Sequence, residues 1–365
     1  MRILYVAPKY DYGKPEQGFS FEHYNFYDFF QRSGHEIIYF DTLSLLKEFG
    51  KEGANQRLWD MAKSEKPELM FTVLFTDELD QMVVQRISEE TDTVTLNWFC
   101  DDHWRFENYS RYWAPCFNWV VTTAKSAVPK YEHLPYEHAI KSQWGCNHLL
   151  YRKLDFPLKY DVSFVGQPHG NRREIIRTLQ KSGIKVHTFG AGWRSGRVSQ
   201  DEMIRIFNQS RINLNLSNAS VSSDQPAPVK NGLEWVARAL DHVPLGGHIK
   251  KYGAGLLNYA ASRSSNKFTQ PVKYFEQIKG RNFEVPGCGG FMLTGKVEDL
   301  ESYYKVGKEI ACFENTGDLI EKIRYYLAHE DERASIAHAG YERTLVEHTY
   351  AHRFKTIFRE MNLSP

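Results

Sequence analysis

The sequence predicts an α/β protein built from two doubly wound parallel sheets with a cleft between them. Three observations carry that expectation. At 365 residues the chain exceeds what one ordinary core organises, and two domains of roughly 150–200 residues are the default. Its first half alternates short, near-continuous apolar runs with helical segments, as a parallel sheet covered on both faces requires. The same pattern then restarts at residues 160–166, YDVSFVG.

In the first half, strands are expected at 3–7, 36–40, 69–75, 93–99 and 119–123, with helices between them such as 22–31 and 77–88. Residues 137–148, EHAIKSQWGCNH, add one more strand and a turn. After the restart, residues 167–171 turn into a basic helix opening at Arg172 and Arg173. A strand at 185–189, a helix at 199–208 and strands at 212–216 and 311–313 follow. Helices at 318–328 and 331–346 cover this second sheet, and a last one spans 350–361. The expected division is a first domain at 1–155, a second at 156–345 and a terminal helical segment at 346–365. Tandem sheets of this kind bind ligands in the cleft at the C-terminal ends of their strands.

Residues 222–269 break the pattern. They open with SSDQPAP and place Leu233, Val236 and Leu240 at helical spacing beside Trp235, among Lys230, Arg238, Lys250, Lys251, Arg263 and Lys267. The segment reads as an insertion of one or two helices. It suits an acceptor-site lid, an oligomer contact, a peripheral contact with an anionic membrane surface, or a hairpin docked on its own domain.

Composition narrows the function classes. With 42% hydrophobic and 25% charged residues and a net charge of +1, nothing favours nucleic acid as the main partner. Aromatic residues make up 14%, which suits stacking of bases or sugar rings beside their core role. The five cysteines, Cys100, Cys116, Cys146, Cys288 and Cys312, form no CxxC pair, as expected of reduced thiols rather than a disulfide framework or zinc site. The N-terminus, MRILYVAPKY, reads as a strand and turn rather than a signal peptide, and no run approaches the ~20 apolar residues of a membrane span. A cytoplasmic protein is expected.

The most informative stretch is 276–294, EQIKGRNFEVPGCGGFMLT. Glu276 and Glu284 stand eight positions apart, with Lys279-Gly280-Arg281 between them and a Gly-rich turn, Gly287-Cys288-Gly289-Gly290, behind. Cations and backbone N–H groups suit a diphosphate, and one carboxylate can accept two ribose hydroxyls. If a helix begins near Gly280, Arg281 and Glu284 share a face. An ordinary amphipathic helix running into a strand reads the same way. A second cluster, Asn97-Trp98-Phe99-Cys100-Asp101-Asp102-His103-Trp104, ends the fourth predicted strand. Its acids and histidine suit a metal, a general base or sugar hydroxyls, or a helix N-cap. Gly166 to Arg173 forms a Gly-containing turn into a helix with two arginines, a phosphate contact in outline, but neither a P-loop nor a dinucleotide fingerprint. Asn213, Asn215, Ser217 and Asn218 form a third polar strand end, equally readable as turn chemistry.

Residues 276–294 resemble the donor-binding segment of GT-B glycosyltransferases, which carries two glutamates separated by seven residues, then a Gly-containing turn and a strand. More narrowly, RNFEVPGCGGFMLT is similar to the CgeB-like (spore maturation protein) branch. The usual Gly-aromatic-Gly after the first glutamate is replaced here by Gln277-Ile278-Lys279. The resemblance covers nearly all of the chain and implies the GT-B architecture, two Rossmann-like domains facing a cleft, with helix 350–361 crossing back to the first. It implies that Glu284 holds the ribose and Glu276 the donor sugar. The end of the fourth strand (Asp101, Asp102, His103) would face that sugar, without a choice between the two aspartates. Arg172 or Arg173 would meet the diphosphate, and the loop from Gly13 to Gly18 would lie against donor and acceptor. Trp144, Gly145 and Asn147 precede the expected linker. Candidate catalytic residues are therefore Asp101, Asp102, His103 and Glu276. Candidate donor-binding residues are Glu284, Lys279, Gly280, Arg281, Arg172, Gly166 and Asn215.

The implied activity is transfer of a sugar from a nucleotide-diphosphate donor to an acceptor hydroxyl. Uridine is the default base before guanosine, the configuration is retained, and no metal or permanent cofactor is obligatory. Three alternatives stand beside it: a single-domain GT-A transferase using Asp101-Asp102-His103 on a metal, a nucleotide-sugar epimerase, and a binding or structural protein on a transferase scaffold. The restart at Asp161 weighs against the first.

Overall fold

The computed structural model describes residues 1–134, 136–219 and 275–363. The predicted insertion at 222–269 lies outside the described residues. Two parallel sheets organise the rest. The first contains β1 (Arg2–Ala7), β2 (Glu36–Asp41), β3 (Leu69–Thr72), β4 (Val94–Phe99), β5 (Trp119–Thr122) and β6 (Ala139–Lys141), in the order β2-β1-β3-β4-β5-β6. The second contains β7 (Tyr160–Val165), β8 (Val186–Phe189), β9 (Ser210–Asn215), β12 (Met292–Gly295) and β13 (Ala311–Phe313), in the order β13-β12-β9-β7-β8. A short antiparallel pair, β10 (Asn218–Ala219) with β11 (Phe275–Glu276), sits beside the second. Every pairing within the two large sheets is parallel. In each, strand order reverses beside the first strand, and a doubly wound sheet opens its ligand crevice at that point. The loops leaving β1 and β7 therefore stand where a ligand would sit.

Burial follows the pleat. All four residues of β3 are buried, as are the last five of β1 and β4, because helices cover both faces. The C-terminal helix Tyr350–Glu360 belongs to the core of the first sheet. The Phe354 ring lies 4.5 Å from Phe30, 5.6 Å from Phe29 and 5.6 Å from Phe71, between ring centroids. Between the domains, Asp299 meets Lys141 at 3.3 Å and Lys125 at 3.4 Å, and Asp11 pairs with Arg197.

Local differences from the sequence reading have physical causes. The helix expected at 77–88 begins later, as Gln81–Glu90, because the Asp80 side chain caps it by accepting from Met82 N at 3.0 Å. Glu78 instead ties the preceding turn, accepting from Phe75 N and Thr76 N at 2.9 and 2.8 Å. The helix expected at 22–31 is wound as a π-turn over His23–Tyr27 before Asp28–Arg32.

Helix packing is tight at Gly340 on Glu330–Glu347, where a Cβ would stand 2.2 Å from the Glu309 carbonyl oxygen. Gly340→Ala is expected to lower the thermal midpoint by several degrees. Overpacking against backbone costs about 1–3 kcal/mol, which outweighs the ~1 kcal/mol that alanine gains in a helix. Thermal unfolding checks it.

Candidate functional site

Two cavities open where the sheets face each other. One, of about 390 Å³, is lined from the first domain by Asp11, Tyr12, Glu22, Leu74, Phe75, Phe99, Asp101 and Tyr109, and from the second by Gly166, Arg172, Asn215, Gln277, Lys279, Gly280 and Arg281. The other, of about 540 Å³, is lined by residues 16–19, Asn25, Tyr151, Gly190, Ala191, Arg197 and Gln200. Asp11, Phe21, Val165, Gly166 and Arg281 border both.

The helix Arg281–Gly287 builds the junction. Gly280 precedes it, and a Cβ there would lie 2.7 Å from the Phe21 ring of the first domain, so a side chain here would force that ring to shift. The helix is pinned to the sheet by Asn282. Its Oδ1 accepts from Lys279 N at 2.9 Å and Asn215 Nδ2 at 3.0 Å, and its Nδ2 donates to Thr294 Oγ1 at 3.2 Å. Asn215 thus holds the helix as well as lining the cavity.

Arg281 and Glu284, one turn apart, form an ion pair. Glu284 is fully buried. Its Oε1 also accepts from Tyr151 OH at 2.8 Å and from Asn25 Nδ2 of the first domain at 3.3 Å. A ribose would reach this carboxylate only by displacing Asn25 or Tyr151, both of which border the larger cavity. Burial lowers the Lys279 ammonium to about 8, opposed by Asp101 and assisted by Arg172. Arg172 points inward, donating to the carbonyls of Gln167 at 2.9 Å and Leu216 at 2.8 Å. Burial, with Arg281 nearby, pulls it down to about 10. Arg173 turns outward onto Gly192 O and the Trp193 ring.

The remaining predicted residues separate. Asp101 lines the smaller cavity and accepts from Gln277 Nε2 at 2.9 Å. Asp102 opens the helix Asp102–Arg105, is buried, and accepts from Tyr131 OH at 2.9 Å, so it faces the core rather than the cavity wall. Neither aspartate side chain caps that helix in the expected manner, since Asp101 makes no cap bond. Burial holds His103 down to about 4 and therefore neutral; it is not among the residues that line the cavity. Among the described residues no three His, Cys, Asp or Glu side chains converge as a metal cluster. Glu276 sits on β11 opposite Asn218 and is exposed, while Gln277 is buried and reaches the cavity. Alternation along an extended strand puts neighbours on opposite sides, and here it turns Glu276 away. Asn213 serves the interior, donating to Phe207 O at 3.1 Å.

Sequence reasoning missed Glu22, Asn25, Tyr151, Gln277 and Asn282. Only Gln277 and Asn282, lying inside the 276–294 stretch, carried a signal.

Two parallel α/β sheets facing one shared cleft define the GT-B class of glycosyltransferase scaffolds. The chain belongs to the glycosyl transferase-like family, whose family model matches residues 172–231 and 231–359. It is 22% identical over 233 residues to spore protein CgeB of Bacillus subtilis (strain 168), a match covering 63% of this chain and 64% of that one. The chain thus spans just under two thirds of that relative's length. Among solved structures it is similar to sucrose-phosphate synthase from Thermosynechococcus elongatus, with a TM-score of 0.62 at 9% identity over 99% of both chains. It is also similar to Anabaena HepE in complex with UDP and glucose, with a TM-score of 0.59 at 11% identity over 99% of both.

One prediction arises from Lys279. In the free protein above about pH 8 it is largely neutral. A diphosphate bound beside it would raise its proton affinity, so binding would take up a proton there. At about pH 8.5, UDP titrated calorimetrically in buffers of different ionisation enthalpy should show uptake of roughly three quarters of a proton. Lys279→Met should abolish that uptake.

Proposed function

We propose that this protein transfers a sugar from a UDP-linked donor to an acceptor hydroxyl without an obligatory metal. The supporting observation is the convergence of Lys279, Arg281 and Arg172 on the smaller cavity, with Arg281 also bordering the larger. A nucleoside diphosphate sugar has a matching shape. Its nucleoside would occupy the larger cavity beside Gly190 and Tyr151, and its ribose hydroxyls would take over the bonds that Asn25 and Tyr151 make to Glu284. The diphosphate would lie against Gly166, Lys279 and Arg281, and the sugar would enter the smaller cavity toward Asp101. Fixed cations then stabilise the charge that develops on the departing diphosphate, the task a divalent ion performs in other transferases. Residues 1–155 would present the acceptor and 156–345 the donor. The HepE complex with UDP and glucose, on the same fold, supports uridine as the base.

The engagement of Glu284 by Asn25 has a mechanical consequence. Ribose entry needs Asn25 or Tyr151 to release Glu284, so donor binding is coupled to a rearrangement on the first-domain side of the cleft. A thermal-shift screen of UDP, GDP, ADP and their sugars tests the function. A ligand at one hundred times its dissociation constant stabilises by ~2.7 kcal/mol. Uridine compounds are expected to give the largest rise, and a flat response across the panel would reject the donor site.

A further inference from the structure

We propose that the first-domain wall of the smaller cavity is the acceptor subsite, and that it takes a neutral hydroxylated compound carrying an aromatic ring, with the hydroxyl on Glu22. The proposal rests on the donor placement given above. Charge distribution comes first. Three carboxylates line this wall, and two are engaged: Asp11 by Arg197 and Asp101 by the Gln277 amide. Glu22 has no cationic partner among the described residues; its carboxylate lies near Ser20 and its own backbone N–H. Its backbone is fixed in turn, with Glu22 O accepting from Tyr5 OH at 2.8 Å and the Ser20 hydroxyl donating to Pro8 O at 2.7 Å. The carboxylate therefore faces the cavity from an immobile base.

The one cation on this wall, Arg105, is already used. It donates to Phe75 O at 2.7 Å and stacks 3.9 Å from the Tyr109 ring centre. An acidic wall without a spare cation disfavours a phosphorylated acceptor. Most of the rest of the wall is apolar, with Leu43, Leu74, Phe75, Phe99 and Tyr109 beside the hydroxyls of Ser20 and Ser110. At the rim, Tyr12 and Phe75 are 52% and 51% exposed and meet edge to face at 6.1 Å. Two large aromatic side chains half in water at the entrance of a cavity suit stacking on a flat ring.

In the transfer, the anomeric carbon–oxygen bond to the diphosphate breaks and its electron pair leaves on the diphosphate. The acceptor oxygen bonds to that carbon, and the acceptor's proton passes to the Glu22 carboxylate. Burial pushes Glu22 up to about 7, with Asp11 and Asp101 adding to the rise, which suits proton uptake near neutrality.

The test uses UDP-glucose as donor and offers phenylethanol, glucose and glucose phosphate as acceptors, reading UDP release above hydrolysis. Phenylethanol should saturate and exceed glucose phosphate in kcat/KM by about tenfold or more. Phe75→Ala and Tyr12→Ala should each raise its KM about tenfold and leave the UDP thermal shift unchanged. Glu22→Gln should lower kcat about a hundredfold with that shift intact. A preference for glucose phosphate, or wild-type KM in both aromatic variants, would overturn the acceptor assignment while the donor site stands. A wild type that UDP does not stabilise at all would overturn both.

Discussion

Arg281→Ala should cost the protein both stability and nucleotide binding. Glu284 is fully buried and Arg281 is its charged partner, with the guanidinium side chain only 25% exposed. Removing one member of a buried pair strands the other, typically at about 3–5 kcal/mol. The partial exposure of Arg281 puts the expected loss near the lower end, about 3 kcal/mol. The same substitution deletes the cation shared by both cavities. Chemical denaturation should therefore show a reduced midpoint, and UDP should no longer raise the thermal midpoint. Unchanged stability would mean that Glu284 does not depend on Arg281 as its charged partner.

Glu284→Gln separates binding from folding. Glutamine keeps the shape and can still accept from Tyr151, so the fold should survive with a loss smaller than in Arg281→Ala. With the ribose placed on Glu284 as proposed, it removes the charge that would strengthen those bonds, worth about 1.5–3 kcal/mol. UDP affinity measured by calorimetry should drop by roughly ten- to a hundredfold. Unaltered affinity in a folded variant would remove the ribose from this carboxylate.

Much of the architecture is legible in the chain because parallel strands buried on both faces are written as unbroken apolar runs. Residues 311–313 and the restart at 160 follow directly from that. The long helix Thr42–Glu65 does not. Its buried positions, Thr42, Ala54, Asn55, Leu58 and Ala62, form no continuous apolar stripe, and Gly50 breaks it at φ 69°. The second half of the site is similarly visible, because Lys279, Arg281 and Glu284 lie within one local spacing. Which of Glu276 and Gln277, or of Asp101 and Asp102, reaches the cavity depends on a single-residue phase. Strand alternation decides the first, and the start of the helix Asp102–Arg105 decides the second. Composition carries neither. Asn25 and Tyr151 reach Glu284 across 259 and 133 positions of chain, a juxtaposition that only the docked domains create.

The test of UDP-sugar transfer through this cleft is UDP release from a panel of UDP-sugars with chelator in excess, comparing wild type with Glu284→Gln. The wild type is expected to release UDP at the same rate with and without chelator, and the variant to need a far higher donor concentration. Release that appears only when manganese is restored, or that is equal in both proteins, would contradict the assignment of the donor to Lys279, Arg281 and Glu284.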